Sequence, residues 1–100
     1  MNRINQFLQG IKVVDLSRHL PGPLASLMML DLGARVIKVE RPEGDFARQY
    51  DNHVKGEASY FVWANRGKES ISLNLKKGED LLLMRRLLAG ADVFVQNLAV

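Results

Sequence analysis

Two β-branched runs, IKVVDLS at residues 11–17 and RVIKVE at residues 35–40, stand on either side of PLASLMMLDLG. This arrangement constrains the fold more than any other feature of the chain. Each run has the composition and length of a β-strand. The segment between them is built from unbranched apolar residues, which favour a helix. Leu24, Leu27, Met28 and Leu32 recur on one helical face, and Gly33 is a natural stop. Short connections around a crossover helix of that size predict parallel strands with a right-handed crossover.

The rest of the chain repeats the alternation. Residues 42–56 contain a proline, two glycines and mixed charge, and read as a loop. ASYFVWANRG follows, and Tyr60, Phe61, Trp63 and Ala64 predict a short buried helix ending at Gly67. ISLNL (71–75) reads as a third strand. GEDLLLMRRLLAGA (78–91) is the clearest helix, with Glu79 and Asp80 in its first turn and Arg85 and Arg86 later, the order the helix dipole favours. Leu81, Met84 and Leu88 form one apolar line, Leu83 and Leu87 lie beside it, and Gly90 is the stop. DVFVQN (92–97) is a fourth strand. The order β-α-β-(α)-β-α-β predicts an α/β fold, a Rossmann-like three-layer open parallel sheet. Residues 1–9 read as an N-terminal extension, and residues 10–100 as the N-terminal part of an α/β domain. VQNLAV follows directly on a strand pattern, so the expectation is the front part of a longer protein.

Composition narrows the function classes. The chain is 47% hydrophobic and 25% charged, too apolar for a disordered tail. It has no cysteine, which excludes a disulfide scaffold and a thiolate metal site. A net charge of +3 with dispersed basic residues suits an anionic small ligand and does not argue for nucleic acid. MNRINQFLQG lacks a signal-peptide core, and LASLMMLDL is interrupted by Asp31 and too short for a bilayer span. The expectation is a cytoplasmic protein without a membrane partner.

Ligands of open parallel sheets bind at the carboxyl ends of the strands. Here those ends are SRHLPGP, ERPEGD, NLKKG and QNLAV, which offer Arg18, His19, Arg41, Lys76, Lys77 and Asn97. Four of the six are permanent cations, a seat for a phosphorylated ligand. The usual phosphate cradles, G-x-G-x-x-G and G-x-x-x-x-G-K-[ST], are missing, and Gly22 lies between two prolines that have no N–H to give a pyrophosphate. Glu40 is open to two readings, a ribose-binding acid or a strand-end carboxylate paired to a nearby cation. Pro42 biases Arg41 towards an extended conformation, from which its guanidinium can offer a planar fork to phosphate or simply face solvent. Lys76 is either a surface lysine or one held beside a helix start by an anion. Asp15 tempts as a catalytic carboxylate but can equally bond the turn after it, and Asp31 reads as solvent-facing. The histidines have no partner at metal-ligand spacing, so no metal site is expected. Tyr60, Phe61 and Trp63 fit core packing better than base stacking.

Four stretches in this order, GIKVVDLSRHLPGP, DLGARVIKVERPEGD, YFVWANRGKESISLNLK and ADVFVQN, resemble the N-terminal part of family III CoA-transferases (the CaiB/BaiF family), which includes formyl-CoA and carnitine CoA-transferases and α-methylacyl-CoA racemases. The likeness covers nearly the whole chain from Gly10 onward. It implies that Arg41 binds the phosphorylated adenosine end of CoA. It also implies that Leu73, Lys76, Asn97 and Leu98 lie against CoA, and that His19 and Leu20 border the thioester. CoA and acyl-CoA would be substrates, with a carboxylic acid as acceptor and no permanently bound cofactor. The resemblance further implies a homodimer in the full-length protein. Leu98, Gln96 and Glu69 depart from the family pattern, which commonly has an aromatic, a glutamate and a basic residue there. In the transferases an aspartate attacks the acyl-CoA to give a mixed anhydride, and CoA thiolate then forms an aspartyl-CoA thioester. That aspartate lies beyond residue 100, as does the His/Asp pair of the racemases. No catalytic residue is therefore assigned here, and these residues alone are expected not to turn over. The readings carried forward are a CoA-transferase segment, an α-methylacyl-CoA racemase segment, a non-catalytic nucleotide- or CoA-binding module, and a remnant without a stable fold.

Overall fold

The computed structural model describes residues 7–18, 21–42 and 65–97. Strand β1 (Lys12–Asp15) is followed by helix α1 (Pro21–Asp31), β2 (Arg35–Glu40), β3 (Glu69–Ser72), helix α2 (Gly78–Ala89) and β4 (Val93–Val95). The four strands form one sheet in the order β3-β2-β1-β4, and every pairing is parallel. The chain is thus an α/β fold with a parallel sheet, as its alternation predicts. The short helix expected around Tyr60–Trp63 lies outside the described residues.

The two faces of the sheet carry separate cores. Val13 and Val14 are adjacent in β1 and both fully buried. Side chains alternate along a strand, so they enter opposite layers. Val13 joins Ala34 and Val36 with Met29 and Leu30 of α1. Val14 joins Val39, Leu73 and Met84 with Leu87 and Leu88 of α2. These helices on opposite faces make the three layers.

The helices differ from the sequence pattern in instructive ways. Pro21 and Gly22, which precede the helical segment expected from Pro23 onward, join Pro23 in the first turn of α1. Helix N-terminal N–H groups lack intrahelical acceptors, so proline loses nothing there. Met28, expected on the buried face, is exposed. The buried face runs instead through Pro23, Ser26 and Leu27, with Leu30 half-buried, at i, i+3, i+4 and i+7. A hydrophobicity pattern omits Ser26, which is fully buried because its hydroxyl is used (below). In α2 the seam is Met84, Leu87 and Leu88, whereas Leu81 and Leu83 are exposed. Gly33 ends α1 with φ 103°, a left-handed conformation that favours glycine.

Strand β3 starts and ends earlier than the expected 71–75. Its ladder to β2 runs from Ile37↔Glu69 to Glu40↔Ser72, so the end of β2 terminates it. One further bond, from Leu73 N–H to the Glu40 carbonyl at 2.8 Å, carries the pairing into the following turn. At the other end, Arg35 Nε and Nη2 donate to the two Glu69 carboxylate oxygens at 2.6 and 2.9 Å. These hydrogen bonds hold the Glu69 carboxyl below its usual range, aided by the charges of Arg35 and Lys12 and opposed by desolvation.

Two outcomes are expected. An ideal Cβ on Gly22 would lie 2.3 Å from Ser17 Cβ and 2.6 Å from its Oγ. Alanine in a helix gains at most about 1 kcal/mol over glycine, whereas overpacking of this kind costs about 1–3 kcal/mol. Gly22→Ala should therefore lower the thermal midpoint by several degrees; an unchanged or raised midpoint contradicts this close approach. The Arg35–Glu69 pair should show a pH signature. A lowered carboxyl pKa contributes stability above the unfolded glutamate value of about 4.3, and that stability is lost as pH falls through the folded value. The small difference between wild type and Glu69→Gln should thus be present at neutral pH and vanish in acid. Both side chains are more than half exposed, so the effect is screened.

Candidate functional site

With all strands parallel, their carboxyl ends lie along one edge of the sheet. In spatial order the edge presents Leu73–Lys76 after β3, Arg41 after β2, Ser17–Arg18 after β1, and Gln96–Asn97 after β4. Three inter-strand spacings of about 4.8 Å give this rim a width of about 14 Å. The strand order runs outward from β1 to β3, then returns to the far side of β1 for β4. The switch point therefore falls between β1 and β4, the place where open parallel sheets bind their ligands.

Asn97 bridges that switch point. Its Oδ1 accepts from Arg18 N–H at 3.0 Å, and its Nδ2 donates to the Arg18 carbonyl at 2.8 Å. Beneath this clasp, Leu16 N–H donates to the Val95 carbonyl at 2.8 Å and extends the β1–β4 ladder. Asn97 thus uses both ends of its amide to hold the turn after β1.

The β3–α2 turn is also tightly bonded. Asn74 N–H donates to Asp80 Oδ2 at 2.7 Å, and Lys76 N–H donates to Asn74 Oδ1 at 3.1 Å. Lys77 is the α2 N-cap without a side-chain cap bond, and Lys76 and Lys77 are both exposed. Glu79 and Asp80 lie in the first turn of that helix and offset the two lysines beside its positive end. Arg41 is half-buried directly after β2. Leu73 is only 4% exposed and packs with Val14, Val39 and Met84, so its side chain supports the rim from beneath. His19, Leu20 and Leu98 lie outside the described residues.

Sequence reasoning missed a buried polar cluster immediately under the rim. Asp15 is fully buried at the end of β1. Its Oδ1 accepts from Ser17 N–H at 2.8 Å and from the Ser17 hydroxyl, and its Oδ2 accepts from the Ser26 hydroxyl and from Lys68 Nζ at 3.0 Å. Lys68 Nζ also donates to the Pro23 carbonyl at 2.8 Å and to Asn65 Oδ1 at 2.9 Å. Lys38, 1% exposed and in register with Asp15, donates to the Ser17 carbonyl at 3.2 Å. Glu40, two residues on and on the same face, is also buried. One signal was available in the sequence. In RVIKVE a lysine and a glutamate stand on the face that Val36 commits to the core, which demands buried partners.

The aspartates are accounted for in structural roles. Asp15 has four donors, and Asp31 pairs with Arg66 at 3.0 Å. Asp80 accepts from Asn74, and Asp92 Oδ2 accepts from Lys12 N–H at 2.9 Å. Among the described residues, every aspartate is therefore engaged in holding the fold.

This parallel sheet with helices on both faces defines an α/β domain with basic residues along its carboxyl edge. The chain belongs to CoA-transferase family III, whose family model matches residues 8–100. It is 44% identical over 97% of its length to human succinyl-CoA:glutarate CoA-transferase, and 44% identical over 88% to acetyl-CoA:oxalate CoA-transferase of Acetobacter aceti. It spans 22% of the first and 23% of the second. A CaiB/BaiF family protein from Brucella suis superposes with a TM-score of 0.87 at 44% identity, covering 94% of this chain and 26% of that one.

The switch-point clasp makes a direct prediction. Asn97→Ala removes two hydrogen bonds whose partners then turn to water, so the loss is about 1 kcal/mol. It should appear as a lower urea midpoint at unchanged slope. A midpoint equal to wild type would show that the clasp does not hold the turn.

Proposed function

We propose that this chain supplies the CoA-binding segment of a CoA-transferase that moves CoA from an acyl-CoA donor to a carboxylic acid acceptor. In that reaction R–CO–SCoA and R′–COO⁻ give R–COO⁻ and R′–CO–SCoA, so the thioester exchanges its acyl partner without net redox change. The observation that carries the reading is the rim itself: Arg41, Lys76 and Lys77 at the ends of β2 and β3, next to the switch point beside β1. A phosphorylated nucleotide end suits the basic side of the rim. The rest of an extended carrier can cross its width of about 14 Å towards the loop after β1, where His19 and Leu20 stand in the sequence. Asn97 stands at the switch point after β4, with Leu98 next to it in the sequence, and Leu73 backs the rim.

The relatives support the reaction class. Their names pair an acyl-CoA with a carboxylate, including succinyl-CoA with glutarate, acetyl-CoA with oxalate and succinyl-CoA with mesaconate. These names favour transfer over racemisation. No aspartate among the described residues is free to act as the acyl-accepting nucleophile, and the family resemblance assigns that role to an aspartate beyond residue 100. The whole enzyme is read as a cytoplasmic homodimer with no permanently bound cofactor.

The test is calorimetric. Arg41→Ala should weaken CoA binding by about 1–3 kcal/mol through loss of charge-assisted bonds to phosphate. It should weaken dephospho-CoA binding much less if Arg41 meets the ribose phosphate. Equal losses for the two ligands would refute that placement, and no binding of either by the wild-type protein would refute the CoA reading.

A further inference from the structure

We propose that Asp15 and Lys68 are positioning residues, a buried ion pair that clamps the turn after β1 to the first turn of α1 and so fixes the substrate-facing part of the rim. Their partners carry the proposal. Lys68 donates to acceptors on β1, α1 and the segment before β3. Asp15 receives four bonds, two from Ser17 and one from Ser26 of α1. Lys38 then takes the Ser17 carbonyl from below, so Ser17 is held by its N–H, its hydroxyl and its carbonyl. Gly22 allows the incoming helix to approach Ser17 closely. Both flanks of His19 and Leu20 are therefore fixed, at residues 17–18 on one side and 22–23 on the other.

An apolar pair of similar size would fill the same volume without the desolvation cost of two buried charges. What it would not do is aim hydrogen bonds at the Pro23 carbonyl and the Ser17 N–H. Directionality is the property that distinguishes this arrangement from ordinary core packing. Neither charge is available for chemistry: both side chains are at most 1% exposed, and neither reaches the surface of the rim. The clamp itself rests on the described contacts; its bearing on substrate rests on the CoA reading above.

The experiment uses Lys68→Met, with Ser26→Ala as a milder variant that keeps both charges in case Lys68→Met does not fold. Amide hydrogen exchange needs no ligand. Exchange at Ser17 and Arg18 should accelerate by about tenfold or more relative to Met84, which reports the opposite core. The affinity for acetyl-CoA should fall more than that for free CoA, because only the acyl-CoA presents a thioester to the loop. Acceleration shared equally by Ser17, Arg18 and Met84 would mean a general loss of stability and would overturn the clamp, as would no acceleration. Equal or absent losses for acetyl-CoA and CoA would overturn its substrate-facing role. If the wild-type protein binds neither ligand, the CoA reading fails, and the exchange measurement still decides the clamp.

Discussion

The parallel pairing of β1 on both of its sides is the constraint on which the structure depends. Val13, Val14 and Asp15 have partners in β2 and β4 at every position, from Val13↔Val36 and Val13↔Val93 to Asp15↔Lys38 and Asp15↔Val95. Parallel strands cannot be joined by tight turns, so each neighbour must be reached through a crossover. The crossover helices then cover the two faces, and β1 is buried on both. This is why Val13 and Val14 can face opposite ways and still be inaccessible to water. It is also why every loop of functional interest emerges on the same edge. The rim follows from strand polarity, and side-chain chemistry only decides what the rim will hold.

Burial of β1 raises a problem at its end. Its last residue, Asp15, lies on the α1 face beneath the rim, and an unpaired carboxylate there would be prohibitively unfavourable. The fold answers with Lys68, brought from 53 residues away, and with hydroxyls from Ser17 and Ser26. No buried side-chain nitrogen or oxygen among the described residues lacks a hydrogen-bond partner. Such a cluster is demanding, because each group is satisfied only when the others are in place. The ends of β1, α1 and the segment before β3 therefore share one geometry. Ser17 and the Pro23 carbonyl are held from below, by Asp15, Lys38 and Lys68, rather than by contacts on the surface.

How much of this was legible depends on the kind of signal. Strand β2 reads directly from RVIKVE, because β-branched residues with a bounding proline leave little alternative. The helix over residues 78–89 is equally direct, from its acidic first turn to its glycine stop. The buried face of α1 was misread at Met28 because the residue that belongs there, Ser26, is polar. Its burial is set by Asp15, eleven residues earlier, and no local periodicity contains that information. The third strand was displaced for a related reason. Ile71 and Leu73 look like strand centre, but the extent of pairing is dictated by where β2 starts and stops. Of the site, the edge residues Arg41, Lys76 and Asn97 follow from strand order alone. The clamp beneath them needs three segments brought together in space. The bond from Asp15 to the turn after it was one of the two sequence readings of that residue, and the charges of Lys38 and Glu40 in a buried strand were the other hint.

The described carboxylates are distributed in a way that bears on the architecture. A nucleophilic aspartate must be accessible, whereas those described here are occupied with the backbone or with cations. Asp80 and Asp92 illustrate this at the two ends of α2: one receives the Asn74 N–H before the helix, the other the Lys12 N–H after it. Making any of them reactive would dissolve the joint it forms. The described aspartates serve the architecture, while Arg41, Lys76 and Lys77 stand at the carboxyl edge of the sheet. The 14 Å or so of rim runs from the basic side over β2 and β3 to the switch point between β1 and β4. Under the proposed function, carrier recognition and presentation of the reactive end fall to different strands of the same sheet, and the Asn97–Arg18 clasp ties the loop after β1 to β4 without touching the basic side.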